Sequence, residues 1–309
     1  MLKQSFVRSL STALLLLTVS TGAALAEKTK KALLIGIDGT RFDALETAHT
    51  PHLDALMDDG VYTDNCLILG PRYKKNDTIS GPGWSSILSG VWADKHGVDD
   101  NTFEGKNYDE FPHFFVLLKQ QQPDARTVSH VTWTPIEEHI VQGADVHADH
   151  SIDIEEGFIK SDTQATDETV KQIAETDVDC AFIYFHQTDF QGHTNGFHPS
   201  VKPYVQAIAN VDVHIGRVIE AIRARDSYAE EDWLIVVTSD HGGIGKNHIN
   251  GHNVPEILRS FLIVSGDSAG RGRFEEQTYI VDASATVLTH LGVELEERWR
   301  LDGRPRGLK

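Results

Sequence analysis

Lys31-Ala32-Leu33-Leu34-Ile35-Gly36-Ile37-Asp38-Gly39 is an apolar run that stops abruptly on a carboxylate and a glycine. An unbroken apolar run of this length is the pattern of a strand covered on both faces, and the polar pair marks where its carboxyl end opens into a loop. Asp38 is thereby placed at a strand tip. Thr50-Pro51 then starts a helical pattern through Leu53, Leu56 and Met57 that ends at Gly60, with proline in the first turn and glycine past the last. Strand and helix together make a first β-to-α unit.

The same grammar recurs downstream. Residues 70–80 are polar, basic and glycine-bounded, hence a loop; Pro82 opens a helix through Ile87 and Leu88 to Gly90, and Ser80 falls just before it. Residues 114–118 read as helix and 126–133 as strand, while the acidic stretch 137–169 reads as a loop-rich excursion, hence a cap or insertion. Residues 180–185 and 232–238 are two further buried strands, running into His186 and into Ser239-Asp240-His241-Gly242. A long amphipathic helix over 204–222, a strand over 261–264 and a closing helix over 283–291 complete the chain. The alternation predicts an α/β fold, a three-layer αβα sandwich with a mainly parallel central sheet, in which ligands bind beyond the strands' carboxyl ends.

Lys3 and Arg8 precede an apolar run from Leu14 to Val19 and the exit Ala24-Leu25-Ala26, so residues 1–26 read as a cleaved secretory signal. That run is too short to span a bilayer, and no later segment approaches the ~20 apolar residues a span needs. The expectation is an exported protein, periplasmic or secreted, with 27–309 as a single catalytic domain. The signal removes Lys3 and Arg8 but no acid, so 28 basic and 46 acidic residues become 26 and 46, a net charge of −20. Such a surface repels nucleic-acid polymers and anionic membranes, which are excluded as partners. Cys66 and Cys180 are the only cysteines; in an exported chain they can form one disulfide, too few for a stapled mini-domain and wrongly spaced for a cysteine zinc site.

Asp189-Phe190-Gln191-Gly192-His193 sets a carboxylate and an imidazole four residues apart, and Asp240-His241 sets the pair side by side. Carboxylate with imidazole suits zinc and similar divalent ions. Either pair alone is as well explained by a surface loop or a helix cap. Two such pairs at strand ends, with Asp38 at a third, point instead to a shared cation site. Ser80-Gly81-Pro82 puts a hydroxyl at a helix mouth, where free N–H groups favour an anion. Ser80 is there either an N-cap or a nucleophile, and the second role needs an activator such as a metal ion.

These strings resemble, in order, those of the alkaline phosphatase superfamily, and within it the type I phosphodiesterase and nucleotide pyrophosphatase branch. The matching residues are Ile37-Asp38-Gly39, Thr50-Pro51-His52-Leu53-Asp54, Ser80-Gly81-Pro82 through Ser89-Gly90, His96-Gly97-Val98, Asp189 to His193, Ser239-Asp240-His241-Gly242 and Val281-Asp282-Ala283. The resemblance implies an alkaline-phosphatase-like fold and two divalent metal ions, taken as Zn2+. Asp38, Asp240 and His241 would hold one ion, against Ser80, and Asp189, His193 and a later histidine the other. That histidine is His248 or His252, with His248 the choice. Ser80 would be the nucleophile, forming a covalent phospho-serine on a small phosphoester, with Thr78 a weaker alternative.

Two departures bear on substrate. A sulfatase needs arginine at the fourth position after its modified residue, and this chain has Trp84. Phosphodiesterase relatives often carry asparagine three residues after the nucleophile, and this chain has Gly83; Asn101 can supply the amide to substrate or serve simply as a turn residue. Arg72, Lys74 and Lys75 are either binders of a monoester's extra charge or a solvated loop. Trp84, Trp92 and Trp133 are either stacking surfaces for an aromatic group or core residues. The reading is therefore an exported phosphodiesterase-like hydrolase; the alternatives are a phosphomonoesterase, a phosphonate hydrolase or a non-catalytic metal- or phosphate-binding module.

Overall fold

The computed structural model describes residues 28–309. The expected signal segment, 1–26, lies outside the described residues. The strands are β1 (Thr29–Ile37), β2 (Gly60–Leu67), β3 (Thr127–Val131), β4 (Val146–Asp149), β5 (Cys180–Phe185), β6 (Glu231–Thr238), β7 (Arg259–Ser265), β8 (Gly272–Arg273) and β9 (Thr278–Tyr279). They form one nine-stranded sheet in the order β4-β3-β5-β1-β6-β7-β2-β8, with β9 also pairing to β2. Pairing is parallel except where β7 runs against β6 and β2, so the sheet is mainly parallel, as expected.

The opening stretch explains the layers. Successive side chains of a strand point to opposite faces. Ala32 and Leu34 join a core with Trp84, Phe114 and Leu288, whereas Leu33, Ile35 and Ile37 join one with Leu53, Ile173 and Ile208. Helices Ser80–Ser89, Phe114–Gln121 and Asp282–His290 therefore cover one face, and Pro51–Asp58, Ile159–Glu175 and Lys202–Arg223 the other. Burial on both faces is why β1 carries no polar alternation.

Register then sets the site. Ile37 pairs with Phe185 and Gly36 with Thr238, so counting two residues on from Gly36 and one from Ile37 puts Asp38, His186 and Asp240 at one level beyond the sheet.

One expectation fails. The stretch 137–169 is not loop-rich: it holds edge strand β4, paired in parallel with β3, and the first part of helix Ile159–Glu175. That helix buries Ser161, Asp162, Ala165, Thr166 and Thr169, small or polar residues that leave little apolar periodicity to read. The pairing that the sequence leaves open for Cys66 and Cys180 does not form: both are buried free thiols. They sit on β2 and β5, four strand spacings apart in the sheet order. At ~4.8 Å per spacing that is ~19 Å, far beyond a disulfide's reach.

Gly36 gives the Trp84 ring its room against β1, since a Cβ there would lie 2.4 Å from that ring. Gly36→Ala should cost about 1–3 kcal/mol by overpacking, read as a lower urea midpoint. A midpoint equal to wild type would show that Trp84 does not depend on this contact.

Candidate metal centre

Three strands deliver the site. Asp38 follows β1, Asp240 and His241 follow β6, and helix Gln187–Asn195 starts one residue after β5, carrying Asp189 and His193 one turn apart on one face. Gly39 makes their approach possible, because its φ of +60° is left-handed and a Cβ would lie 2.5 Å from Asp189 Oδ1.

The ligand-type atoms include two sets of three that share no residue, Asp38 with Asp240 and His241, and Asp189 with His193 and His248. Within each set, one ligand atom per residue lies within 4.8 Å of the others. In the first, His241 Nε2 is 3.6 Å from Asp38 Oδ1 and 3.2 Å from an Asp240 oxygen. In the second, His193 Nε2 and His248 Nε2 are 2.8 Å apart and lie 3.5 and 3.6 Å from the two oxygens of Asp189. Among these carboxylate–imidazole distances, 3.5 and 3.6 Å are too long for hydrogen bonds. Ser80 Oγ is 3.4 Å from both Asp38 Oδ1 and His241 Nε2.

The donors fit a divalent cation in three respects. Asp189 Oδ1 and Asp240 Oδ2 are buried without a hydrogen-bond partner among the described residues, a costly state for a carboxylate oxygen. His193, His241 and His248 each meet a backbone carbonyl through Nδ1, those of Lys246, Gly242 and Thr78, at 2.9–3.0 Å. Each Nδ1–H donates, so each Nε2 lone pair faces the centre, and the two facing at 2.8 Å call for a shared electrophile. Finally, burial and then the Asp38 carboxylate push Asp189 and Asp240 well above the usual carboxylate range. Burial also raises Asp38, but the neighbouring His186 imidazole, 3.7 Å away, with His241 and the Tyr184 hydroxyl, outweighs it and holds its carboxyl low. Burial lowers His241, and lowers His248 to about 2, keeping both imidazoles neutral as ligands must be.

Asp38 is fixed by two side chains whose role toward it the sequence did not reveal. Trp84 Nε1–H donates to Asp38 Oδ2 at 2.9 Å, and the Tyr184 hydroxyl donates to the same oxygen. Oδ1 is thus left to face Ser80 and His241. His186, also missed, has Nδ1 at 2.7 Å from the Tyr184 hydroxyl and forms a third grouping with Asp38 and Asp189. Its position directly after a buried strand, three residues before Asp189, was the available signal.

The remaining residues sort by geometry. Ser80 is the first residue of its helix and its hydroxyl caps nothing; Ile79 holds the N-cap position without a side-chain bond. Asn101 Oδ1 accepts the Gly81 N–H at 2.7 Å, which turns its carboxamide to the helix mouth. Thr78 Oγ1 is bonded to the His248 carbonyl, and His252 Nε2 to the Asn76 carbonyl at 2.9 Å, so neither enters the two sets. Arg72 is held by Asp94 and Asp302, while Lys74 and Lys75 are exposed. Trp84 and Trp92 are core residues, but Trp133 is half-buried and lies parallel to His186, with ring centroids 6.4 Å apart. In the His96-Gly97-Val98 string, buried His96 accepts the Val98 N–H and bonds Ser86, bracing the Ser80 helix.

Comparison with known proteins gives a consistent picture. Residues 32–264 match the sequence model described as type I phosphodiesterase / nucleotide pyrophosphatase. Ectonucleotide pyrophosphatase/phosphodiesterase family member 7 of Rattus norvegicus is 24% identical over 251 residues, covering 75% of this chain and 55% of that protein. Bis(5'-adenosyl)-triphosphatase ENPP4 of Bos taurus is 23% identical over 248 residues, 74% of this chain and 50% of that one. The chain thus spans about half the length of the curated relatives it matches. Among solved structures, murine ectonucleotide pyrophosphatase/phosphodiesterase 5, an inactive form in complex with AMP, superposes with TM-score 0.64 at 14% identity, covering 86% of this chain and 96% of that one. A phosphonate monoester hydrolase from Silicibacter pomeroyi gives 0.64 at 18% identity, covering 90% and 76%. A 2-O glycosaminoglycan sulfatase gives 0.69 at 14%, covering 91% and 73%. These structures share the alkaline-phosphatase-like fold.

The raised carboxyls carry a signed consequence. Asp189 and Asp240 hold protons in the metal-free fold at pH values where ordinary aspartates do not, so metal entry must release protons and affinity must rise with pH. Calorimetric titration with zinc at neutral pH, in buffers of different ionisation enthalpy, should show net proton release. Heats independent of buffer would contradict this.

Proposed function

The chain belongs to the type I phosphodiesterase and nucleotide pyrophosphatase family, and on that premise we propose that it is a metal-dependent hydrolase of small phosphoesters with Ser80 as its nucleophile. The observation that carries the reading is the Ser80 hydroxyl at a helix mouth, 3.4 Å from both Asp38 Oδ1 and His241 Nε2. Two divalent ions, zinc for this donor set, would be held by Asp38, Asp240 and His241 with Ser80, and by Asp189, His193 and His248. When bound, they supply the positive charge that lowers a serine hydroxyl's pKa and stabilises a leaving oxygen.

The chain's own residues do the rest. Ser80 Oγ gives up its proton and attacks phosphorus, the bond to the leaving oxygen breaks with a proton ending on that oxygen, and a phospho-serine forms; water then cleaves that ester, its hydroxyl going to phosphorus and its proton to Ser80 Oγ. Trp84 and Tyr184 hold Asp38 with Oδ1 toward the nucleophile. With its oxygen engaged by Gly81, Asn101 offers Nδ2–H to a phosphoryl oxygen. Arg72 is occupied by two aspartates, which favours a diester over a monoester with its extra charge. To Trp133, half-buried and parallel to His186, we assign stacking on an aromatic or nucleoside leaving group.

We read residues 27–309 as one catalytic domain and 1–26 as its export signal, giving a periplasmic or secreted enzyme. No helix among the described residues is long and apolar enough to cross a membrane.

Ser80→Ala should lower turnover of bis-p-nitrophenyl phosphate by at least ~10⁴-fold, as loss of a nucleophile does, with both metals retained by elemental analysis. A variant keeping its rate would remove Ser80 from the chemistry. His193→Ala and Asp240→Asn should each deplete about one metal per chain, by the loss of one ligand in three; unchanged metal content would refute the ligand assignment. The wild-type protein should cleave the diester faster than p-nitrophenyl phosphate, and the reverse order would make it a phosphomonoesterase.

A further inference from the structure

Thr78 is buried two residues ahead of Ser80, and it meets the loop of His248 three times. Its carbonyl accepts the His248 Nδ1–H at 2.9 Å, its hydroxyl donates to the His248 carbonyl, and the same hydroxyl oxygen accepts the Gly251 N–H at 2.8 Å. The neighbours extend the seam: Asp77 Oδ1 accepts the Asn250 N–H at 2.7 Å, and the Asn76 carbonyl accepts His252 Nε2–H at 2.9 Å. On the other side the Asp77 N–H donates to the Asp99 carbonyl at 2.8 Å, two residues from Asn101, which receives the Gly81 N–H.

His248 needs this support because its own segment supplies little. Between β6 and the short helix Pro255–Leu258 the chain has no helix or strand, only an isolated bridge between Ile244 and Asn247, and Asn250 is left-handed at φ +56°. The acceptor opposite a histidine ligand's second nitrogen sets its tautomer and ring direction. For His248 that acceptor lies outside the loop, on Thr78.

We propose that Thr78 is a positioning residue for the metal set of Asp189, His193 and His248. Its carbonyl aims His248 Nε2 at Asp189 and His193, and its hydroxyl closes residues 248–251 around that aim. One segment, 76–81, thereby places both the nucleophile and a ligand of the set on the far side of it. The inference rests on the metal reading of those three residues but not on Ser80 chemistry.

Thr78→Val keeps the shape and removes both hydroxyl bonds, while Thr78→Ser keeps them. With zinc-loaded mature protein titrated against a chromophoric chelator, Thr78→Val should weaken one of two sites by up to about 10-fold, the low end of the cost of disturbing a ligand's outer support, because the loop loses both hydroxyl bonds while the Thr78 carbonyl stays on His248 Nδ1. The other site should be unchanged, and Thr78→Ser should bind both ions like wild type. In a His248→Ala background the valine change should add nothing further. Two sites of wild-type affinity in Thr78→Val, or equal weakening of both sites with no recovery in Thr78→Ser, would overturn the proposal. Because metal is read directly, absence of phosphoester turnover would count against the Ser80 reading and leave this one standing.

Discussion

Three carboxylates, Asp38, Asp189 and Asp240, are buried against one another at the end of a single parallel sheet, and the structure around them answers to that charge. In a site shielded from water, like charges so close cannot all ionise without a counter-charge. Neutral imidazoles with Nε2 directed inward do not supply it, and Ser80 brings only a hydroxyl. The cost of assembling such a cluster is met by the fold, because the pairing of β1 with β5 and β6 brings the strand ends to one level. The site is thus a consequence of register, and a cation-binding chemistry follows from its charge.

Asp38 shows how the fold directs one of these groups. Of its two oxygens, Oδ2 is engaged by Trp84 and Tyr184, and Oδ1 faces the serine and His241. Trp84 reaches that position only because Gly36 leaves its ring room against β1. The residue at which a sulfatase would carry arginine is therefore here a core side chain that donates to Asp38, which agrees with membership of the phosphodiesterase family rather than with a sulfatase.

Much of this was legible in the sequence because its signals are local. Unbroken apolar runs ending on Asp38, His186 and Ser239 marked strand tips, and the glycine and proline punctuation marked the helices between them. Local signals failed where burial is achieved with small polar residues, as in helix Ile159–Glu175, and where strand β2 is interrupted by Thr63, Asp64 and Asn65 at a register shift. They also could not separate His248 from His252, since both follow His241 in one irregular loop. Only the seam to residues 76–78 sends His248 toward Asp189 and leaves His252 on a carbonyl. The roles of Trp84, Tyr184 and Thr78 were likewise hidden, because each depends on a partner far along the chain.

The central claim is that two cations occupy this strand-end cluster, one on each set of three protein ligands. Anomalous diffraction from crystals of the mature protein grown with zinc tests it most directly. Two peaks about 4 Å apart, one against Asp38, Asp240 and His241 and one against Asp189, His193 and His248, are the result predicted. A single peak, or peaks away from these six residues, would contradict it.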